Sequence, residues 1–180
     1  MDRKIRDSRL EITLYGMEML QRLRRSLTTL PDARGWALCG LVAGLTGILM
    51  AAIGFSTGLY ALTSTAPGLP LRLLTVLFVP ALGEEIPFRG LLVPSRDEPG
   101  KPWAAVAIST ALYVAWHPLE ALTFMPAATM FLRPDFLACT AILGLACALM
   151  RRRTGSLWPA VILHGGFVVV WQTWLGGVRL

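Results

Sequence analysis

The feature that most constrains this chain is a pair of adjacent carboxylates and an arginine inside a long apolar segment. Residues 69–94 read LPLRLLTVLFVPALGEEIPFRGLLVP, and Glu84, Glu85 and Arg89 lie near the middle of that run. The run is long enough to cross a bilayer, which takes about 20 predominantly apolar residues. Ionisable groups at that depth are costly, and they are retained mainly where they face a protein interior and do chemistry or carry ions. We therefore expect the rest of the fold to be built around these three side chains.

The composition favours a membrane protein over a soluble domain. The 180 residues are 54% hydrophobic and only 16% charged, and the mean hydropathy is +0.58, which is more apolar than is usual for a soluble domain. The net charge of +6 is uneven, because eight of the 17 basic residues precede Trp36 and three more form the run 151–153. Such clusters are typical of contact with anionic lipid headgroups on the cytoplasmic side, and only weakly of nucleic-acid binding. We predict a multi-pass protein of the cell (inner) membrane, with a cytoplasmic N-terminus and no nucleic-acid partner.

The chain divides into two regions of different character. Residues 1–35 mix basic and apolar side chains in the manner of an amphipathic helix that lies in the cytoplasmic interface. Residues 36–180 are predicted to form an all-α bundle of about five to six transmembrane helices. Residues 120–134 are apolar but short and interrupted by proline, which indicates an interfacial or re-entrant segment. The expected full spans are 36–62, 69–94, 102–119, 136–150 and 157–174.

Local signals indicate where these helices begin and how they pack. Asp135 and Ser156 are suited to cap the helices that follow them. Three cysteines lie in apolar segments without metal-ligand spacing, and we expect them to be buried and reduced. Glycines four residues apart allow a neighbouring helix to approach closely. Two such pairs occur in the first span, Gly40 with Gly44 and Gly54 with Gly58.

Two prolines predict that the segment with the carboxylates is not a regular helix. Pro80 and Pro87 each lack a backbone donor, and Pro87 leaves the carbonyl of Gly83 without its helical partner, one residue before Glu84. A break of this kind is tolerated where the backbone lines a protein-enclosed or watery cavity. The sequence therefore predicts a cavity beside Glu84.

The two histidines of the chain lie at the same predicted depth as the carboxylates. With a rise of about 1.5 Å per residue, counted from the cytoplasmic ends, Glu84 lies roughly 15 Å deep, His164 roughly 14 Å and His117 roughly 21 Å. In a hydrocarbon core of about 30 Å these three side chains share a band near the midplane. Three helices can therefore bring them together.

The spacing of the charged residues separates their expected tasks. Glu85 and Arg89 are four residues apart and can neutralise each other on one helix face. Glu84 is turned by about 100° from Glu85. It is left free to accept a proton from water and to donate it later to a leaving amine. The histidines can position the water and stabilise a developing oxyanion.

These motifs resemble the CPBP family, the CAAX-type and bacteriocin-processing intramembrane endopeptidases. The family pattern is EExxxR, then FxxxH, then HxxxN/D, on successive core helices. The resemblance covers about residues 70–175 and leaves out the N-terminal 35. The residues that carry it are Glu84, Glu85, Arg89, Tyr113, His117 and His164.

The resemblance implies a glutamic-type peptidase, a hydrolase that needs no cofactor. Glu84 would be the base that activates water, with Glu85 and Arg89 in support. His117 would help to hold the water and His164 would serve the oxyanion site. The implied substrate is a membrane-anchored protein or peptide, such as a prenylated CAAX protein, a leader peptide or a C-terminal sorting tail.

Two positions depart from the family pattern. Tyr113 replaces the usual phenylalanine, which keeps the ring and adds a hydroxyl. Val168 stands where the third motif has Asn or Asp, so one polar partner of the oxyanion site is absent. Gln172 is one turn further along the same face, about 6 Å along the axis. The sequence is therefore consistent with a divergent protease or with one that has lost activity.

Three other functions compete with a metal-free protease. Glu84, His117 and His164 also form a catalytic zinc set, although the chain lacks a His-Glu-x-x-His helix. A non-enzymatic immunity or scaffold protein would use the fold to hold partners, and the absence of Asn or Asp at 168 supports it. A proton or ion conduit would use buried carboxylates and histidines as a relay, but two histidines and one acidic cluster argue against a continuous relay. The sequence specifies neither a partner subunit nor an oligomeric state.

Overall fold

A computed structural model describes residues 16–63 and 68–178, and the described part is helical without strands. Helix α1 occupies residues 16–28 and α2 is Ala33–Ser56. Helix α3, Leu69–Val76, begins a longer broken helix that runs to residue 91. The remaining helices are α4, Pro102–Thr123, α5, Pro134–Thr154, and α6, Trp158–Trp174. The all-α class predicted from the sequence is confirmed.

Helix α5 is the central element of the bundle. It packs against α4 and α2, and also against α6. Its buried residues include small ones, among them Gly144, Ala146 and Ala148, which allow neighbouring helices to approach. Helix α6 packs in turn against α5 and the broken helix, so that the broken helix, α4 and α6 surround one interior region.

The broken helix departs from α geometry on both sides of the carboxylates. Residues Leu77–Leu82 and Ile86–Leu91 are π-helical, and a single α turn, Gly83–Glu85, lies between them. Pro80 lies inside the first π stretch and Pro87 near the start of the second. Each proline removes an i→i−4 hydrogen bond, and the wider π turns accommodate the loss. The break expected from the two prolines is therefore present.

Two helix starts differ from the sequence predictions. Helix α5 begins at Pro134 after Arg133, so Asp135 lies in its first turn and is not the N-cap. Proline is favoured there because it has no amide that needs a partner. The Asp135 side chain accepts from the Phe136 amide at 2.9 Å and binds the Arg133 guanidinium. Helix α6 begins at Trp158 with Leu157 at the N-cap position, so Ser156 is not the N-cap either, although its hydroxyl accepts a hydrogen bond from the Trp158 amide at 3.2 Å.

The lengths of two other helices also differ from prediction. Helix α2 starts at Ala33, because the Asp32 side chain accepts from the Gly35 amide at 2.7 Å. It ends at Ser56, just before Gly58 takes φ = +70°, a left-handed conformation that suits glycine at a helix end. Helix α4 continues through Pro118 to Thr123, further than the predicted end at 119. The predicted interfacial segment 120–134 therefore begins within α4 and ends at the first residue of α5, and between them it contains only a short 3₁₀ turn, Thr129–Leu132.

The glycine pairs of α2 have different surroundings. Nothing lies within 4 Å of a Cβ built on Gly40 or Gly44, so the close helix packing expected there is absent among the described residues. Gly54 is buried, and a Cβ at that position would collide with the ring of Tyr60. The glycine at 54 is therefore needed for the chain to fold back over the end of α2.

Helix α1 is attached to the bundle at its C-terminal end. The Ser26 carbonyl accepts from the Leu157 amide at 2.8 Å, and the Trp158 indole donates to the Leu27 carbonyl at 2.9 Å. On the other side Arg22 forms an ion pair with Glu98 at 2.9 Å. These bonds join α1 to the start of α6 and to the loop after the broken helix. The predicted boundary between residues 1–35 and 36–180 stays a prediction, and residues 1–15 lie outside the described part.

Candidate active site

Three side chains predicted for catalysis meet in the interior of the bundle. Glu84 comes from the α turn of the broken helix, His117 from α4 and His164 from α6. The two histidines are buried, at 7% and 2% exposed, and the Glu84 side chain is 14% exposed. All three line one cavity of about 490 Å³. The structure therefore brings together residues that lie 33 and 47 positions apart in the sequence.

Below the cavity, Glu85 and Arg89 form a fully buried ion pair. Arg89 NH1 donates to Glu85 Oε1 at 2.9 Å, and both side chains are 0% exposed. Arg89 NH2 donates to the Gly144 carbonyl at 3.1 Å, and the guanidinium carbon lies 4.0 Å from the centroid of the Tyr113 ring. The cation is thus held by a carboxylate, a helix carbonyl and an aromatic face. The pairing expected from the i,i+4 spacing is present.

Glu85 also holds His164, a contact that the sequence did not indicate. His164 Nδ1 lies 3.0 Å from Glu85 Oε1, the same oxygen that accepts from Arg89. The Tyr113 hydroxyl lies 3.2 Å from His164 Nε2 on the other side of the ring. An ionised carboxylate only accepts hydrogen bonds, so the proton of the neutral ring belongs on Nδ1, and Tyr113 then donates to Nε2. Both ring nitrogens, and with them the ring orientation, are fixed.

His117 is oriented by its own helix. Its Nδ1 lies 2.9 Å from the carbonyl oxygen of Tyr113, which can only accept, so Nδ1 carries the proton. The rings of Phe131 and Phe136 pack against the imidazole, each with centroids 5.4 Å apart. In the neutral ring, Nε2 is left with a free lone pair. His117 can therefore accept a hydrogen bond from a molecule in the cavity.

Glu84 is the acid of the adjacent pair that lines the cavity. Its Oε2 is buried and accepts no hydrogen bond from any described residue. The nearest ring nitrogen is His164 Nε2, at 3.9 Å. Glu85 Oε2 is likewise buried without a described partner, but Glu85 Oε1 binds Arg89 and His164, and the side chain is 0% exposed and does not line the cavity. Of the two adjacent carboxylates, Glu84 is therefore the one available to a bound water or substrate.

The cavity itself is lined mainly by apolar and aromatic side chains. A second carboxylate, Glu120 on α4, is half-buried in its wall. Of the described residues that line the cavity, none is lysine or arginine. Val168 and Gln172 both lie in the wall, one and two helix turns beyond His164. The aromatic residues of the wall are Phe55, Tyr60, Tyr113, Trp116, Phe131, Phe136, Phe167 and Trp171.

Sequence reasoning missed several of these neighbours. The aromatic side chains of the cavity wall and the Gly144 carbonyl belong to segments in which the sequence showed only an apolar composition, and nothing there indicated a role in the site. Glu120 was visible as a lone acidic residue in a segment assigned to the interface, and its spacing of three from His117 places it on the same helix face. Within the described ranges, no three His, Cys, Asp or Glu side chains are grouped so as to hold a metal ion. The three cysteines are free and buried, as expected.

Comparison with known protein families gives a match over the core of the chain. A family model described as "Type II CAAX prenyl endopeptidase Rce1-like" matches residues 64–170. The matched segment contains the broken helix, α4, α5 and most of α6, and with them Glu84, Glu85, Arg89, Tyr113, His117 and His164. No curated protein and no solved structure matches the chain.

Proposed function

The chain belongs to the Rce1-like family of type II CAAX prenyl endopeptidases, and on that basis we propose that it is a metal-free, glutamate-dependent intramembrane endopeptidase. The family is one of membrane-embedded proteases, which makes the chain a hydrolase of the CAAX protease type. The observation that best supports the glutamate-dependent mechanism is that Glu84, His117 and His164 come from three different helices and line one apolar cavity.

The exposed surface supports a location inside the membrane. Two helices, α2 and α5, are long and apolar enough to cross a bilayer, with mean hydropathy of 2.2 and 1.4. The other helices also present large apolar side chains outward, among them Phe78 at 63% exposed and Leu122 at 72%. In water such a surface would favour aggregation, whereas lipid tails solvate it. We propose a multi-pass bundle with the N-terminus in the cytoplasm, in keeping with the basic run 151–153 at the end of α5.

In the proposed reaction Glu84 activates a water molecule that is held between the Glu84 carboxylate and His117 Nε2. The water oxygen attacks the carbonyl carbon of the substrate amide while one water proton passes to Glu84, and the carbonyl electron pair moves to its oxygen. When the tetrahedral intermediate collapses, the C–N bond breaks and Glu84 returns the proton to the amine. The products are a carboxylic acid and an amine, and the glutamate is regenerated.

His164 and its partners supply the electrostatic part of the proposal. A proton on His164 Nε2 would make the ring a donor to the oxyanion, and the Glu85 carboxylate at 3.0 Å would stabilise that imidazolium. The Tyr113 hydroxyl can then act as an acceptor from Nε2 or as a donor to the oxyanion. Arg89 offsets the charge of Glu85, so that the buried cluster carries no large net charge.

The alternative zinc mechanism needs one imidazole nitrogen from each histidine directed at the metal. His164 Nδ1 is bonded to Glu85 and its Nε2 to Tyr113, so a zinc ion would have to displace one of these partners. His117 Nε2 and Glu84 Oε2 have no such partners to lose. This geometry supports the metal-free form of the proposal.

One observation favours a second candidate, a non-enzymatic membrane scaffold. Val168 lies in the cavity wall one turn beyond His164, where an Asn or Asp side chain would offer a polar group to the oxyanion. Its absence lowers the expected rate, because one missing oxyanion partner costs about 10²–10³-fold in related chemistry. The scaffold would keep the buried cluster for stability alone.

The deciding experiment measures cleavage directly. Wild-type protein, Glu84→Gln and His164→Ala are purified in detergent and incubated with a pool of membrane-anchored peptide tails, with and without chelator. Products are identified by mass spectrometry. Cleavage that is lost in both variants and unaffected by chelator supports the glutamic mechanism. Loss with chelator would select the zinc enzyme, and no wild-type cleavage across a broad pool would select the scaffold.

A further inference from the structure

A second carboxylate lies in the cavity wall, on the same face of α4 as His117. Glu120 is three residues after His117 and lines the cavity together with Glu84. Its side chain is only half-buried, so the carboxylate is open to a molecule in the cavity. None of the ion pairs between described residues includes Glu120. The proposed hydrolysis needs one base, which Glu84 supplies, and it leaves Glu120 without a task.

Two carboxylates in one apolar cavity are costly. The lining is mainly apolar, and no lysine or arginine occurs among its described residues. Each carboxylate loses hydration in such surroundings. Glu84 and Glu120 also interact electrostatically, and like charges repel more strongly in a space of low dielectric constant. A positively charged group bound in the cavity would offset both effects, whereas an anion would add to them.

An aromatic neighbour of Glu120 also favours a cation. Trp116, one turn earlier on α4, lines the same cavity and interacts with the Glu120 side chain. The face of an indole ring attracts ammonium and guanidinium groups, and a carboxylate binds them through charge-assisted hydrogen bonds. A neutral donor would gain only an ordinary hydrogen bond from this pair. The combination of Glu120 and Trp116 is therefore suited to a cationic ligand.

The position of Glu120 along α4 indicates where the substrate would carry its charge. Glu120 is three residues beyond His117, or about 4.5 Å along the helix axis at about 1.5 Å per residue. An extended peptide advances about 3.3 Å per residue. The charged residue would therefore lie one or two positions from the peptide bond that Glu84 would hydrolyse. Lysine and arginine carry a positive charge on a methylene stem, which suits an apolar wall.

We propose that Glu120 is a specificity residue that binds a lysine or arginine side chain of the substrate, one or two residues from the scissile bond. This inference rests on the proposed function, and it narrows the substrate class to membrane-anchored peptides with a basic residue beside the cleaved bond. Trp116 contributes the aromatic part of the same subsite. Glu84 remains the base, and Glu120 determines which peptide is bound rather than how it is hydrolysed.

The test measures binding by the full chain in a Glu84→Gln background, which leaves Glu120 as the one carboxylate among the described lining residues. The probes are fluorescent hexapeptide amides of leucine and alanine in which a single lysine is moved through the six positions. A matched set has norleucine, which keeps the methylene stem and lacks the ammonium group. Binding is followed by fluorescence anisotropy in a non-ionic detergent. At one or two adjacent positions, lysine should bind at least about tenfold more tightly than norleucine, the value of one charge-assisted hydrogen bond.

Variants at Glu120 assign this preference to one side chain. Adding Glu120→Gln should abolish the preference for lysine and leave the binding of the norleucine peptides as it was. Glu120→Lys should instead favour a peptide with glutamate at the same position over one with glutamine. The control is Glu18→Gln, the same chemical change at an exposed position of α1 outside the cavity, which should keep the preference.

Three results would each show that the inference is wrong. Lysine and norleucine peptides could bind equally at every position, Glu120→Gln could retain the preference, or Glu120→Gln could weaken both peptide sets to the same extent, as a structural role would predict. The proposed function is tested separately, because no part of this measurement needs hydrolysis. A chain that cleaves peptides without the preference contradicts only the specificity subsite, and a chain that shows the preference but cleaves nothing contradicts only the proposed hydrolysis.

Discussion

At the level of single residues, the two adjacent glutamates have opposite surroundings. Glu85 is fully buried and shares one oxygen between Arg89 and His164. Glu84, one residue earlier, lines the cavity and its side chain is 14% exposed. In the proposed mechanism the same side-chain type therefore supplies the support and the reactive group, and the 100° turn between consecutive helical residues separates the two roles.

We predict that Glu84→Gln removes hydrolysis while leaving the fold intact. The amide has nearly the same shape as the carboxylate but cannot take a proton from water, so activity should fall by at least about 10³-fold. Cleavage by the purified variant is compared with thermal unfolding in the same detergent. A variant that retains more than a tenth of wild-type cleavage would contradict the assignment of the base.

We predict that Glu85→Gln lowers stability as well as activity. Removing one partner of a buried ion pair leaves Arg89 without its counter-charge, at a cost of about 3–5 kcal/mol. It also takes the anionic acceptor from His164 Nδ1. The expected result is a markedly lower unfolding temperature than that of Glu84→Gln, measured side by side. Equal unfolding temperatures for the two variants would show that the pair does not stabilise the fold.

We predict that Tyr113→Phe reduces activity by only about tenfold. The ring that covers Arg89 remains, and the loss is one hydroxyl contact to His164, worth about 1 kcal/mol. His164 is still held by Glu85 on its other nitrogen. The rate of cleavage is compared at saturating substrate. Complete loss would mean that the hydroxyl itself contacts the reacting atoms.

At the level of helices, close packing of α5 against α4 determines where the site forms. A Cβ built on Gly144 would lie 2.8 Å from Tyr113 Cδ1 and 3.0 Å from Arg89 NH2. Both neighbours are held by other contacts, so neither can move freely. The glycine at this position is therefore needed for the Arg89 guanidinium to reach the helix carbonyl.

We predict that Gly144→Ala destabilises the protein and lowers its activity, because an added methyl displaces Tyr113 and Arg89. Overpacking of this kind typically costs about 1–3 kcal/mol. The matched control is Gly40→Ala, where nothing lies within 4 Å of the added carbon and a helical alanine is favoured by about 0.5–1 kcal/mol. Thermal unfolding in detergent should move in opposite directions for the two variants. The explanation fails if both shift alike.

Contacts within one helix were predictable from the sequence, and contacts between helices were not. The Glu85–Arg89 pair follows from i,i+4 spacing, and the irregular helix follows from Pro80 and Pro87. The approach of His117 and His164 to the carboxylates followed from their shared band near the midplane of the predicted spans. The bond between Glu85 and His164 has no signal in spacing, because it depends on how far each helix is rotated about its axis. The same reason explains why Gly40 and Gly44, with a good packing pattern, meet no neighbour.

At the level of the whole molecule, the outward apolar side chains indicate a surface suited to lipid. The exposed face of α2 includes Leu41, Ile48 and Leu49 at 62%, 67% and 52%. Only 22% of the most apolar stretch of 18 residues in α2 is buried inside the bundle. In α5, by comparison, 56% of the corresponding stretch of 18 residues is buried, because this helix lies inside the bundle.

We predict an orientation with residues 151–153 in the cytoplasm and residue 63 on the opposite side. Single cysteines at Arg153 and Thr63 are introduced into a background in which Cys39, Cys139 and Cys147 are retained, since all three are buried. An impermeant thiol reagent applied to intact cells should label the cysteine at 63 and spare the one at 153. The reverse pattern would overturn the positive-inside assignment.

The π-helical stretches on either side of the carboxylates make the length of this segment as important as its composition. Each holds Glu84 and Glu85 at an angle that regular α geometry would not give. A deletion of one residue between 77 and 82 that kept the π turns would rotate everything after it by about 100° relative to everything before it. Glu85 would then leave His164, although every chemically important residue was still present. We therefore expect a natural variant with a one-residue gap in that stretch to be inactive. A search for the motif residues alone would still classify such a variant as an active protein.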